Sequence, residues 1–148
     1  MKSSYAKTTS VPVANSQAEI RHTLEKYDAT GFMFGESNGS ALCAFEMKSR
    51  RVKFVIPIPV YGKAKTDKGH IMGKDQCAQR ERSAWRCLLL AIKAKLECVA
   101  SGISTFEEEF MAHIVLPNGQ TIGNAILPQI EQSYKTGNMP PLLGPAHP

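Results

Sequence analysis

The chain has 148 residues, of which 43% are hydrophobic and 21% charged, so it can fold as one ordinary domain with its own core. No apolar run approaches the length of a transmembrane helix, and no apolar segment follows Lys2 as it would in a signal peptide. These features exclude a membrane span and predict a soluble protein of the cytoplasm. Four cysteines without a CxxC pair predict reduced, packed thiols rather than a disulfide framework.

The net charge of +5 conceals a strong segregation of charge along the chain. The stretch from Lys48 to Lys95 contains 13 of the 18 lysines and arginines but only three acids, a net charge of +10, which leaves −5 for the rest. Such segregation predicts a surface that faces a polyanion in the middle of the chain and an acidic surface elsewhere. A solvated basic face without a partner is the alternative that charge alone leaves open.

The N-terminal part of the chain predicts an arm followed by a helix. Residues 1–13 are polar and then β-prone, which indicates an arm or a short edge strand, since Pro12 cannot donate a hydrogen bond within a sheet. Ser16 and Glu19 have the spacing of a capping box, so we expect a helix from there to about Asp28. Its apolar stripe consists of Ile20, Leu24 and Tyr27.

Three strands are expected next, at 31–35, 41–47 and 52–59. Asn38-Gly39 is a strong signal for a hairpin between the first two, and a tight polar link at 48–51 joins the second to the third. Pro57 and Pro59 predict that the third strand leaves the sheet at its far end.

Residues 60–74 hold three glycines and four lysines and predict a mobile basic loop. A long helix is expected from about Asp75 to Ala100. Its buried face would consist of Trp85, Leu88, Leu89, Ile92, Leu96 and Val99. At 100° per residue, three cations fall within about 40° of one another on a stripe that flanks this face. They are Arg82, Arg86 and Lys93.

The C-terminal part predicts small elements around the core. Thr105 and Glu108 have capping-box spacing at the start of a short helix, residues 114–116 and 120–122 indicate a hairpin, and a last helix at 124–135 ends at Gly137. The tail 138–148 contains four prolines and is expected to be extended or disordered. The fold class is therefore α+β, with an α-β-β-β-α core, a three-stranded antiparallel sheet packed on one long helix, and a single domain over 1–137.

The sequence contains no motif that requires catalysis. A phosphate-binding glycine loop, a GxSxG nucleophile and a dinucleotide fingerprint are all missing. The best metal candidate is the run 107–109 of three glutamates with His113, but adjacent helical side chains point in different directions, and acids in a first turn complement the helix dipole. We therefore expect no catalytic residue, no metal and no cofactor, with a small metal-dependent nuclease as the less favoured alternative.

The basic residues fall on three neighbouring pieces of chain, which would border one groove if the long helix crosses the sheet. Lysines there would neutralise phosphates, and Tyr61, at the loop entrance, is the aromatic residue expected to be exposed for base stacking. The predicted partner is single-stranded DNA, with RNA as an alternative. The predicted nucleic-acid-binding residues are Lys48, Arg50, Arg51, Lys53, Tyr61, Lys63, Lys65, Lys68, Lys74, Arg82, Arg86 and Lys93.

Several runs of the sequence resemble a family of phage, prophage and mobile-element proteins over nearly the whole chain. They are YAKTTSVPV (5–13), EIRHTLEKYDATGF (19–32), RRVKFVIPIP (50–59), RSAWRCLLLAIKAKLECVASGISTFEEEFMAHIVLPNGQTIG (82–123) and GNMPPLL (137–143). This resemblance implies a phage or mobile-element origin and the cytoplasm of a host cell.

The expected arrangement of a hairpin sheet backed by one long basic helix is similar to the core of Rad52-like single-strand annealing proteins. That resemblance implies single-stranded DNA binding in a groove between sheet and helix, assembly into rings or filaments, and no need for ATP. Carried over by position, the groove residues are Arg50, Arg51, Lys53, Lys63, Lys65, Arg82 and Arg86.

Self-assembly is also expected from the complementary charges of the basic middle and the acidic end, with apolar anchors at 126–130 and 140–143. The alternative partner for the C-terminal part and its PPLL tail is a host or phage protein.

Overall fold

The computed structural model describes residues 6–142, and its element order confirms the predicted α+β fold. Among these residues, no helix has both the length and the apolar character needed to cross a bilayer. The elements are α1 (Val13–Glu25), β1 (Thr30–Ser37), β2 (Ser40–Met47), β3 (Arg50–Pro57), α2 (Lys74–Ala100), α3 (Phe106–Phe110), a 3-10 turn (Met111–His113) and α4 (Ile122–Thr136).

The three strands form an antiparallel sheet in the order β1-β2-β3, joined by tight turns as predicted. Lys48 and Ser49 at the β2–β3 turn both have positive φ (49° and 60°), the backbone that matches the twist of a two-residue hairpin. Cys43 lies between Phe34 and Phe54 in the register, and all three face the helices. The opposite face of the sheet is left uncovered at Met33 and Val55, which are 58% and 56% exposed.

Helix α2 packs on the helix-facing side of the sheet through its apolar stripe. Trp85 is fully buried and meets the ring of Phe34 edge-on, with 6.0 Å between centroids. Leu88, Leu89, Ile92 and Leu96 are buried and Val99 is half-buried, which confirms the predicted face. Helix α1 adds Ile20 and Leu24 to the same core.

Helix α3 closes one side of this core. The Thr105 hydroxyl accepts a hydrogen bond from the Glu108 backbone N–H, and Glu108 reaches back to Thr105, so the predicted capping box is confirmed. Phe106 and Phe110 are buried on its inner side. The four cysteines, all among the described residues, form no disulfide, and burial raises the pKa of Cys43 to about 12, so its thiol stays protonated.

Helix α4 lies at the periphery of the fold. It is attached at Gly123, where an added Cβ would come within 2.9 Å of the Ala112 carbonyl oxygen, so only glycine fits without a shift. Gly137, with φ 74°, ends the helix as predicted. Before α4, the predicted hairpin is reduced to one bridge between Val115 and Thr121, while Ile114 bridges to Val52 at the edge of β3.

The N-terminal boundary differs from the prediction. Helix α1 begins at Val13 after Pro12, whose ring fixes φ near the value that starts a helix, so Ser16 lies inside the helix and is buried. The predicted capping box at Ser16 is therefore wrong. Residues 6–12 form a turn and no strand, residues 138–142 form no helix or strand, and the remainder of the predicted arm and tail lies outside the described residues.

Candidate nucleic-acid interface

The space between the sheet and α2 is occupied by the core, so it is not a groove for nucleic acid. Phe45, Val52 and Trp85 are fully buried there. Because side chains alternate along a strand, Arg51 and Lys53 lie on the opposite face from Val52. The predicted basic residues are consequently distributed over three separate surfaces instead of bordering one groove.

The first surface, called here the hairpin surface, consists of Lys48, Arg50, Arg51 and Lys53 around the β2–β3 turn. The Arg51 guanidinium lies 3.6 Å from the Glu46 carboxylate, and Lys53 Nζ donates a hydrogen bond to the Gly119 carbonyl oxygen at 3.3 Å. Within residues 6–142, Lys48 and Arg50 make no ion pair. A cavity of about 420 Å³ opens between Arg50, Arg51 and residues 115–119.

The second surface, called here the loop surface, consists of Tyr61, Lys63, Lys65, Lys68 and Lys74, with Arg80 beside them. The predicted mobile loop contains a small hairpin, in which Lys65 bridges to Ile71 and the Thr66 N–H donates to the His70 carbonyl at 2.7 Å. Met72 is buried and attaches this hairpin to the protein. Residues 60–74 show no alternation of apolar and polar residues from which this hairpin could be predicted.

The cations of the loop surface face solvent. Lys63, Lys65 and Lys68 are exposed and form no ion pair with any residue of the described chain. Tyr61 is 59% exposed, which confirms its predicted exposure, and Lys74 Nζ lies 5.4 Å from the centroid of its ring. An exposed aromatic ring beside free ammonium groups can contact both a base and a phosphate.

A cavity of about 930 Å³ adjoins the loop surface, on the side of α2 that faces away from the core. Lys7, Lys68 and Arg80 line it, together with the acids Asp67 and Asp75. The sequence analysis missed Lys7 and Arg80. Helical spacing could have identified Arg80, because it projects opposite Trp85, whereas Lys7 reaches the site only through a long-range contact.

That contact is made by Gln79, whose Nε2 donates hydrogen bonds to the carbonyl oxygens of Lys7 (3.0 Å) and Thr9 (2.7 Å). The N-terminal segment thereby forms one wall of the cavity. Arg82 in turn donates from Nη2 to Gln79 Oε1 at 2.6 Å. Arg82 therefore orients the Gln79 side chain that contacts residues 7 and 9.

The third set of predicted residues faces α1. Arg86 Nη1 lies 2.9 Å from Glu19 Oε1, and Lys93 Nζ lies 3.8 Å from Glu19 Oε2. The hydrogen bond from Arg86, with the charges of Arg86 and Lys93, lowers the pKa of Glu19. We assign Arg86 and Lys93 to the α1–α2 contact, with Arg82 as a support of Gln79, and not to the nucleic-acid surface.

A pair of carboxyl groups joins the sheet to α2. Glu81 of α2 interacts with the Glu36 carboxyl group of β1. Hydrogen bonding to Glu36, burial and the charge of Glu36 raise the pKa of Glu81 to about 7, while the charge of Arg82 opposes the rise. Glu81 is therefore protonated in acid and becomes negatively charged only as the pH rises through neutrality.

We expect Glu81→Gln to flatten the pH dependence of stability between about pH 4.5 and 7. The pKa of Glu81 is higher in the folded protein than in the unfolded chain. Between these two pH values the folded protein therefore holds one proton more than the unfolded chain. The contribution of Glu81 to stability is therefore fully present below about pH 4.5 and is lost as the pH rises through 7. At pH 8 the variant should be more stable than the wild type by about 1 kcal/mol, a value reduced for partial exposure to solvent.

Urea unfolding at several pH values measures this effect. The matched control is Glu97→Gln, an exposed carboxylate on the same helix that forms no ion pair within residues 6–142. The control should retain the wild-type pH dependence. Equal pH profiles for the wild type and Glu81→Gln would contradict the raised pKa of Glu81.

The metal candidate of the sequence analysis is dispersed in the structure. Glu108 belongs to the capping box, and Glu109 accepts a hydrogen bond from the Ser104 hydroxyl at 2.7 Å. His113 stacks on Phe54 with 4.1 Å between ring centroids, and burial together with the charge of Lys95 lowers its pKa. In the described part of the chain, no three His, Cys, Asp or Glu side chains are placed to hold a metal ion.

No protein-family model, curated protein or solved structure matches this chain.

Proposed function

We propose that the protein binds single-stranded nucleic acid, DNA in the first place, through the loop surface, without ATP and in the cytoplasm of a host cell. The observation that carries this proposal is the exposed Tyr61 ring beside Lys74, on a surface whose lysines have no carboxylate partner among the described residues. Unneutralised ammonium groups bind phosphates and release counterions, and an exposed ring stacks on a base of any identity. The expected binding is therefore sensitive to salt and tolerant of sequence.

The hairpin surface is proposed as a second contact for the same polymer. It lies at the start of β3 (Arg50–Pro57), and the loop begins just after the end of this strand. The strand spans seven residue steps of about 3.3 Å, or roughly 23 Å. Arg51 and Lys53 of the hairpin surface lie on the uncovered face of the sheet. A single strand that follows this face would meet these two cations first, then the exposed Val55, and the lysines of the loop surface beyond the end of β3.

The charge-reversal variant Lys63→Glu/Lys65→Glu/Lys68→Glu tests the loop surface. Each phosphate contact adds about 0.7 to the slope of log affinity against log salt on single strands, so the loss of three contacts should reduce the slope by about 2. We expect at least a tenfold loss of affinity at low salt. Fluorescence anisotropy with labelled oligonucleotides across a salt gradient measures both quantities.

A control with the same change in net charge separates a local site from general attraction. Arg21→Glu/Lys26→Glu/Lys135→Glu replaces three exposed cations outside both surfaces, and its slope should remain that of the wild type. Equal losses in the two triple variants, or no wild-type binding at low salt, would refute the proposal.

Tyr61 provides an independent test of base stacking. Tyr61→Ala should lower affinity for single strands by about 1–3 kcal/mol and leave the salt slope unchanged, while Tyr61→Phe should retain binding. Duplex DNA of the same length should bind the wild type and Tyr61→Ala equally, because its bases are not free to stack on the ring. Lanes with Mg²⁺ and with EDTA identify cleavage, which the proposal does not expect.

Strand annealing is proposed as the use of this binding, because a hairpin sheet backed by one long helix resembles the core of Rad52-like proteins; the strand would bind on the outer loop surface and not between sheet and helix. Two complementary labelled oligonucleotides should pair faster in the presence of the protein and without ATP. The rate should fall in Lys63→Glu/Lys65→Glu/Lys68→Glu as binding does.

A further inference from the structure

The outer side of α4 carries an apolar stripe that no part of the described chain covers. Leu127, Ile130 and Tyr134 are spaced three and four residues apart and are 61%, 40% and 89% exposed. The chain then turns at Gly137 and presents Met139 and Leu142, which are 86% and 43% exposed. These five side chains are called here the α4 stripe.

Helix α4 has little to stabilise it within one chain. None of its residues is fully buried, and its main contact with another element is with the 3-10 turn at Met111–His113. A helix of 15 residues is marginal in water without packing. Pro128 inside it removes a backbone donor and disfavours the helix further. Burial of the stripe against a partner would therefore add to the stability of this helix.

The charges of α4 favour a second copy of this chain as that cover. Glu131 and Lys135 form an ion pair at 3.0 Å, so α4 has no net charge. Two copies that meet through α4 do not repel each other, whereas contacts between the strongly basic middle regions of two copies would be repulsive. A neutral apolar stripe that faces its own copy is an isologous contact, which closes into a two-fold dimer.

The area of the stripe is consistent with a specific but modest dimer. The exposed parts of its five side chains amount to roughly 600 Å² per copy, and two copies would bury roughly 1,200 Å², the lower end of the range for stable interfaces. We propose that two copies of this protein dimerise by antiparallel packing of their α4 stripes. This contact does not involve the loop surface and is independent of nucleic-acid binding.

Light scattering coupled to size exclusion tests the dimer, over loading concentrations from about 1 to 100 µM. The wild type should pass from monomer to dimer, and Leu127→Ser/Tyr134→Ser should remain a monomer throughout. The matched control is Met33→Ser/Val55→Ser, which removes equally exposed side chains from the uncovered face of the sheet and should dimerise like the wild type.

Far-ultraviolet circular dichroism of the same samples provides a second measurement. Helix content should fall on dilution of the wild type and should be low at all concentrations in Leu127→Ser/Tyr134→Ser, because α4 loses its cover. A wild type that is monomeric at the highest concentration, dissociation of the sheet-face control, or assembly beyond a dimer would overturn the proposal. Lys63→Glu/Lys65→Glu/Lys68→Glu should still dimerise, so failure of the dimer and failure of nucleic-acid binding are distinguishable.

Discussion

Replacement of Trp85 by alanine should lower the free energy of unfolding by about 3–5 kcal/mol. Trp85 is fully buried at the point where α2 meets β1, and its ring packs edge-on against Phe34. Truncation leaves a cavity between helix and sheet that neither element can fill without moving. The indole N–H has no hydrogen-bond partner within residues 6–142, so the expected loss comes from packing.

Chemical denaturation of the wild type and Trp85→Ala measures this loss, monitored by circular dichroism because the variant lacks the only tryptophan. Leu90→Ala is the control on the same helix, since Leu90 is 43% exposed and should cost less than about 1 kcal/mol. A midpoint for Trp85→Ala equal to that of the control would contradict the packing of α2 on the sheet.

Phe110→Ala should cause a loss of similar size, about 3–5 kcal/mol, at the other side of the core. The Phe110 ring lies 6.1 Å from that of Phe45, 6.3 Å from that of Phe54 and 5.0 Å from that of Phe106. Lys95 Nζ lies 5.9 Å from its centroid and donates to the Glu109 carbonyl oxygen at 2.8 Å. Its removal therefore loosens α3 from both the sheet and α2.

Met111→Ala is the control for Phe110→Ala, because Met111 is the next residue but is 49% exposed. The free energy of unfolding of Met111→Ala should lie within about 1 kcal/mol of that of the wild type. Hydrogen exchange adds a local measurement: amides of α3 should lose protection in Phe110→Ala and keep it in Met111→Ala. Retained protection of α3 in Phe110→Ala would show that this helix does not depend on the aromatic cluster.

Features set by local sequence could be predicted. The apolar periodicity of α2 identified its buried face because the spacing of apolar residues decides which of them share one face of a helix. Asn38-Gly39 and the polar link at 48–51 predicted hairpins because only a few residue types accept the backbone of a tight turn. Thr105 and Glu108 predicted the start of α3 for the same reason: their hydrogen bonds join residues three positions apart.

Features set by long-range contacts could not be predicted. Arg86 has the same local signature as a solvent-facing cation, and only the fold brings it to Glu19, 67 residues away. Lys7 likewise reaches the cavity through Gln79, 72 residues along the chain. The orientation of Arg51 and Lys53, by contrast, could have been predicted from local sequence. Side chains alternate along a strand, so residues next to the buried Val52 and Phe54 point to the outer face of the sheet. The prediction of a single groove did not take this alternation into account.

The hydrogen bonds from Gln79 to the backbone of residues 7 and 9 affect the choice of N-terminal boundary for experiments. A fragment that starts at α1 would keep every buried residue of the described chain, and we expect it to fold. It would nevertheless lack the cavity wall and the ammonium group of Lys7 that stand beside Arg80. Trimming the chain to its stable core would thus remove part of the surface under study, and a bulky group placed just before Lys7 would crowd the same surface.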